Sequence, residues 1–316
     1  VHPEHLRAFL SQRAGTTAAR FNAFLDALPA DLTVDELVAA GRDSGDPDLE
    51  RLTLEFLPLT FGRRHGDPSR PWNRFDIAIT DAAGEPVLGY QGNWRDIFQN
   101  WEALAWSYPS LVEPMIATFV DATTADGYNP YRITHRGVDW EVPEPENPWA
   151  NIGYWGDHQI TYLTRLLAVS QRFHPGRLDA LLDRPIFTSA DVPYRIAPFA
   201  EIVADPVNTI TFDADADARA RARAVTRGGD GLLRTGADGV LERVTLADKL
   251  LNLLAAKLVN LVPGGGIWMN TQRPEWNDAN NALVGHGVSI VTMAQVLEYV
   301  DLVGGLLGGR DVELRA

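Results

Sequence analysis

Residues 246–307 read LADKLLNLLAAKLVNLVPGGGIWMNTQRPEWNDANNALVGHGVSIVTMAQVLEYVDLVGGLL. From Leu246 to Leu261 the run is apolar and long enough for a buried helix rather than a strand. Pro263 and the glycines Gly264 to Gly266 stop it. A polar loop carrying Trp276 follows, and from about Val288 to Leu307 the apolar helical pattern resumes. The unit is therefore helix, polar aromatic loop, helix.

The rest of the chain repeats this organisation. In the first 60 residues Leu6, Phe9 and Leu10, then Phe21, Phe24, Leu25 and Leu28, fall at helical spacing. Thr33 and Glu36 form a capping-box pattern ahead of Leu37 and Val38. Between Asn73 and Gly92 the pattern changes to alternation through Phe75, Ile77 and Ile79, a turn at Asp81–Gly84, then Val87 and Tyr90, which predicts a β-hairpin. The hairpin delivers Gly92-Asn93-Trp94-Arg95-Asp96, after which Ile97, Trp101, Leu104 and Ala105 return to helical spacing, and Leu111 to Val120 predicts a helix running back. Asp126 to Pro130 reads as a turn, residues 131–150 as irregular, Tyr154 to Ser170 as a long helix, and Asp215 to Arg227 as an exposed helix ending at Gly228. The expected fold is mainly α with a small β-hairpin, a helical segment at 1–70 packing on a larger helical region at 71–316.

Composition narrows the function. The net charge is −14 over 316 residues, a balance that repels the phosphate backbone, so no nucleic-acid partner is expected. There is no cysteine, which removes thiolate metal sites, disulfides and a cysteine nucleophile. His65, His135 and His286 lack paired metal spacing, and Asp213, Asp215 and Asp217 lack the glycine and distal glutamate of a calcium loop, so no metal is expected. Neither a basic-then-apolar leader nor an apolar run of about twenty residues stands out, and the expectation is a cytoplasmic protein without a membrane partner. Arg63, Arg64 and Arg70 make the densest basic island, read as a loop held by ion pairs in an acidic protein or as a contact for phosphate.

Nine tryptophans lie between residues 72 and 276, many beside Gly, Asn, Asp or Pro, which suggests groove lining rather than core. In Arg273-Pro274-Glu275-Trp276-Asn277-Asp278-Ala279 two carboxylates flank an indole. Indoles stack on the apolar faces of pyranose rings, amides and acids bond their hydroxyls, and a carboxyl kept protonated by apolar neighbours can protonate a glycosidic oxygen. Asp278 also suits a helix cap, where Asp is favoured. Asp157, within Tyr154-Trp155-Gly156-Asp157-His158, fits either a sugar hydroxyl acceptor or a helix-start acid.

In order along the chain, Trp94-Arg95-Asp96-Ile97-Phe98-Gln99-Asn100, the stretches 126–131 and 151–165, and Trp276-Asn277-Asp278-Ala279 resemble the six-hairpin (α/α)6-barrel glycosidase superfamily. In motif they are most similar to the cellobiose phosphorylase group, with its Tyr-Arg-Asp-x-x-Gln-Asp and Trp-Asn-Asp-Gly segments. The resemblance covers roughly residues 70 to 305 in outline and matches residue by residue around Arg95 and Asp278. It implies an (α/α)6 toroid-like helical barrel, complete or partial, that cleaves or transfers a glycosidic bond of a glucan or glucoside with inversion. It implies Asp278 as general acid, with Glu275 and Asp157 as the other catalytic candidates. Trp94, Arg95, Asp96, Gln99, Trp155, Trp268, Trp276 and Asn277 would bind an oligo- or polysaccharide. No cofactor is implied, and inorganic phosphate would be the co-substrate of a phosphorylase.

Two departures matter. Ala279 replaces the family glycine and Asn100 an acid, so the family's own substrate does not carry over. The base of the family's hydrolases generally follows the general acid at a distance, so another acid acts here or the polypeptide is longer. The competing class is a carbohydrate-binding or architectural helical domain without turnover.

Overall fold

The capping box forms as its spacing predicts. Thr33 Oγ1 accepts from the Glu36 N–H at 3.1 Å while Glu36 Oε2 accepts from the Thr33 N–H at 2.7 Å. The structure is a computed structural model that describes residues 1–62, 80–84, 87–130, 132–140, 142–146, 154–155, 159–270 and 283–314. Thr33 opens the third of four short helices, α1 (Pro3–Ala14), α2 (Asn22–Ala27), α3 (Val34–Asp43) and α4 (Pro47–Glu55). Their inward faces bring Leu6, Leu10, Leu37, Leu52 and Phe56 into a hydrophobic cluster of their own. Removing each such side chain from water contributes about 1.5–3 kcal/mol.

A larger core is built by α5 (Trp94–Ser107), α6 (Val112–Asp121), α7 (Gln159–Phe173) and the short α8 (Arg177–Leu181), with α11 (Leu246–Leu258) and α12 (Ile290–Leu307); between them run α9 (Phe199–Ala204) and α10 (Ala214–Arg227), of which α10 adds Ala220. On α5 the apolar positions 94, 97, 98, 101 and 105 recur every three to four residues, so all five side chains face inward and are buried. α1 ends at Gly15 (φ 56°) and α10 at Gly228 (φ 59°). A Cβ on Gly15 would stand 2.3 Å from the Thr226 carbonyl oxygen, and one on Gly228 2.1 Å from that of Gln12, so glycine alone lets these two helix ends abut.

Side-chain contacts fix the helix directions. Glu102, midway along α5, accepts from Arg165 Nη1, midway along α7, at 3.0 Å, and the final turns meet where Trp106 and Phe173 lie 5.6 Å apart. α5 and α7 are therefore parallel. Glu113, at the start of α6, accepts from Ser170 Oγ at the end of α7, so α6 runs the other way. The Ala247 N–H bonds the Leu182 carbonyl just past α8, and Asn252 reaches Ala125 beyond the end of α6, which makes α11 parallel to α6. Arg310, just past α12, pairs with Asp179 of α8, which returns α12 to the direction of α5 and α7. The helices thus alternate, with α5, α7 and α12 in one sense and α6 and α11 in the other.

Small sheets cap one end of this layer. β1 (Thr60–Gly62), β2 (Gly89–Asn93), β4 (Arg132–Thr134) and β5 (Gly137–Asp139) form a four-stranded sheet in the order β1-β2-β4-β5. β3 (Asn129–Pro130) pairs with β6 (Tyr154–Trp155), β7 (Tyr194–Ile196) with β8 (Ile210–Phe212), and β9 (Leu261–Val262), β10 (Gly266–Trp268) and β11 (Val288–Ser289) make a meander.

The mainly helical expectation holds, and most of the expected helices form at or near their predicted bounds. Of the helix expected from Tyr154 to Ser170, the part from Gln159 forms, while Tyr154 and Trp155 pair as a strand with Pro130 and Asn129. Of the expected hairpin, the turn at Asp81 to Gly84 forms, with the Gly84 N–H 3.0 Å from the Asp81 carbonyl, while Phe75, Ile77 and Ile79 lie outside the described residues. β2 is paired with β1 and β4. α12 is long and apolar enough, by length and composition alone, to cross a membrane, although no apolar run of that kind stood out in the sequence. Glu298 and Asp301 interrupt the run, and in the fold Val296, Tyr299, Val303 and Leu306 form its buried stripe.

Candidate functional site

Because α5, α7 and α12 are parallel, the segments that lead into them emerge at one end of the helical layer. These entering segments are Gly92–Asn93, Tyr154–Trp155 and Val288–Ser289. Strand pairing draws two of them together. Asn93 is in register with Arg132 and Trp155 with Asn129, three residues apart in sequence. Ahead of α12 the Gly285 N–H donates to the Met269 carbonyl at 2.6 Å and the Met269 N–H to the Gly287 carbonyl at 2.9 Å.

The predicted residues divide as follows. Arg95 and Asp96 sit half-buried in the first turn of α5, and Gln99 is exposed one turn on. Trp268 is half-buried and donates Nε1–H to the Gly285 carbonyl at 3.2 Å. Trp155 is placed by its strand register. Asp157, Glu275, Trp276, Asn277 and Asp278 lie outside the described residues, as do His158, Arg63, Arg64 and Arg70.

Trp94 requires correction as a sugar-stacking residue. It is 2% exposed, with its ring 4.8 Å from Phe98 and 4.6 Å from Phe119, and offers no face to a ligand. Trp101 and Trp140 are likewise buried, the latter donating to Asp217 at 2.7 Å. These three indoles are core, Trp94 and Trp101 because they fall on the inward face of α5 and Trp140 because it packs into the same cluster just after β5. The helix-cap alternative for Asp278 also shifts, since the cap of α12 is Ser289, whose Oγ accepts from the Thr292 N–H at 3.0 Å.

Sequence reading missed several polar groups at this end. Asn129 is fully buried and bonds the Pro130 carbonyl at 3.0 Å, Arg132 pairs with Asp139, Lys257 is buried on the last turn of α11, and Asn270 donates to Asn260 Oδ1 at 2.7 Å. None sits in a spacing that marks it.

Beneath this end lies a buried ionic network. Arg51 donates to Glu55 at 2.7 Å and to Asp230 at 2.6 Å, and Arg13 pairs with the other Glu55 oxygen. Asp121, at the end of α6, accepts from the Thr188 N–H at 2.6 Å and faces Glu55. Burial, then the charge of Glu55, hold the Asp121 carboxyl well above the carboxylate range, so it keeps its proton and donates to Glu55. Two arginines then balance Glu55 and Asp230 without a surplus charge.

Lys249 is buried on α11 beside this network, donating to the Thr123 carbonyl at 3.1 Å and Ser189 Oγ at 2.8 Å. Burial pushes its pKa down to about 7 from 10.5. Between those values the unfolded chain holds a proton that the folded chain has lost, so stability from this group rises with pH, by up to about 1.4 kcal/mol per pH unit. Urea denaturation of Lys249→Met across pH 7 to 10 is expected to lose that rise. A slope equal to the parent's would assign the alkaline dependence to another group. A scan against protein-family models matches nothing in this chain, and neither does a search of curated proteins.

Proposed function

We propose that the chain is a carbohydrate-active enzyme that cleaves or transfers a glycosidic bond of a glucan or glucoside with inversion, on an (α/α)6 toroid of helical hairpins. One arrangement carries this reading. The chain enters α5, α7 and α12 at the same end of an alternating helical layer, and two of the entering segments, at Asn93 and Trp155, pair with Arg132 and Asn129, three residues apart in sequence. Glycoside chemistry needs an indole, amides, a guanidinium and carboxyls in one cleft, and the motifs near these helix starts carry all four in sequence.

In the proposed mechanism Asp278 protonates the departing oxygen. Arg95, Asp96 and Asn277 hold hydroxyls of the sugar at the cleaved position, and Trp155, Trp268 and Trp276 stack on its apolar faces. Glu275 or Asp157 orients the attacking water, from a carboxyl separation of about 6.5–9.5 Å, or phosphate attacks in its place.

The test is product analysis. The protein is incubated with gluco-oligosaccharides and aryl glucosides, with and without inorganic phosphate, and the anomer first released is read by proton NMR. Release of the inverted anomer is expected. A sugar 1-phosphate formed only with phosphate selects the phosphorylase branch. Absence of cleavage and phosphorolysis across the panel, or retention of configuration, overturns the reading.

A further inference from the structure

At the opposite end of the layer, about 15 Å away along the ten residues of α6, a cleft of about 380 Å³ opens where α3 and α4 meet α6 and α8. Its apolar wall comprises Val34, Val38, Leu54, Pro114, Ala180 and Leu181, and its charged lining is three arginines and three carboxylates. Two ion pairs cross it. Arg177 holds Asp35 with both terminal nitrogens, at 2.7 and 2.8 Å, and Arg184 holds Glu50 at 2.5 Å. Size and mixed lining are those of small-molecule sites, which favour the seam between packed units.

The hydrogen-bond inventory decides the sign of the ligand. The acids are occupied. Glu113, 4% exposed, takes Ser170 at 2.6 Å and His174 at 2.9 Å on one oxygen, and Arg177 at 3.4 Å on the other. A cationic ligand would have to expel one of these donors from a buried carboxylate. The bases are not all occupied. Arg42, 56% exposed at the rim, has among the described residues only its neighbour Asp43, at 3.6 Å. Planar guanidinium forks match a carboxylate.

We propose that this cleft binds a small amphipathic carboxylate, its hydrocarbon body against Val34, Val38 and Leu181 and its carboxylate on Arg42. The site is separate from the glycosidic one and its occupancy does not depend on turnover. It is tested by calorimetric titration with octanoate, with octylammonium and octanol as controls of matched length, and by methyl NMR. Octanoate should bind saturably with shifts at Val34, Val38 and Leu181, at least tenfold more tightly than either control. Arg42→Gln, at an exposed position, should weaken octanoate about tenfold, and Val38→Trp, which fills the cleft, should abolish binding. Absence of saturable octanoate binding, equal binding of either control, or unchanged affinity in Arg42→Gln overturns the proposal. So do octanoate shifts confined to other residues.

Discussion

Replacing Glu55 by alanine is expected to lower the free energy of unfolding by about 3–5 kcal/mol, read as a fall in the guanidinium midpoint at unchanged slope. Glu55 is 1% exposed and is the shared acceptor for Arg13 and Arg51. Its removal leaves two buried guanidinium groups with Asp230 alone to balance them, and uncompensated buried charge is among the few causes of so large a loss. Asp121→Asn supplies the contrast. Asp121 already carries a proton, so an amide replaces it nearly in kind, its oxygen accepting from the Thr188 N–H and its nitrogen donating to Glu55. That change should cost under about 1 kcal/mol. Equal losses in the two variants would mean that Asp121 is ionised and that the proton assignment is wrong.

The same network marks where sequence reading stops. Arg51 and Glu55 stand four apart on a helix, the spacing of a solvated ion pair on an exposed face. What buries them is Asp230, 179 residues away in sequence, which no local pattern can announce. Trp94 failed for the related reason that its flanks, Asn93, Arg95 and Asp96, are polar, although its own position begins the inward stripe of α5. Where the signal was local the sequence was legible. Thr33 and Glu36 satisfy each other's backbone within one turn, Asp213 caps α10 by accepting from the Ala216 N–H at 2.8 Å, and the apolar run from Leu246 is a buried helix to Leu258. Strands of two residues, such as Tyr154–Trp155, are too short to show alternation and are defined by their partners alone. The gathering of the motif segments at one end was expected from order and resemblance. What the contacts show is the parallel course of the helices, as in the Trp106 and Phe173 rings meeting at the far ends of α5 and α7.

Asp278→Asn is expected to lower kcat on unactivated glycosides by about 10²–10⁴-fold, the usual contribution of a positioned general acid. Asparagine keeps the size and much of the hydrogen-bonding ability of the side chain. A purely structural Asp278 would therefore leave rate and stability alike unchanged, whereas alanine would confound the two roles. KM should stay within about threefold, since the lost interaction belongs to the transition state. The decisive comparison is the leaving group. A glycosyl fluoride or a dinitrophenyl glycoside departs without protonation, so the variant should turn these over at close to the parent rate while failing on alkyl glycosides. A uniform loss across leaving groups would move Asp278 from proton donor to sugar holder. A variant as active as the parent on alkyl glycosides would remove it from the reaction, and with it the assignment that the Trp276-Asn277-Asp278 stretch supports.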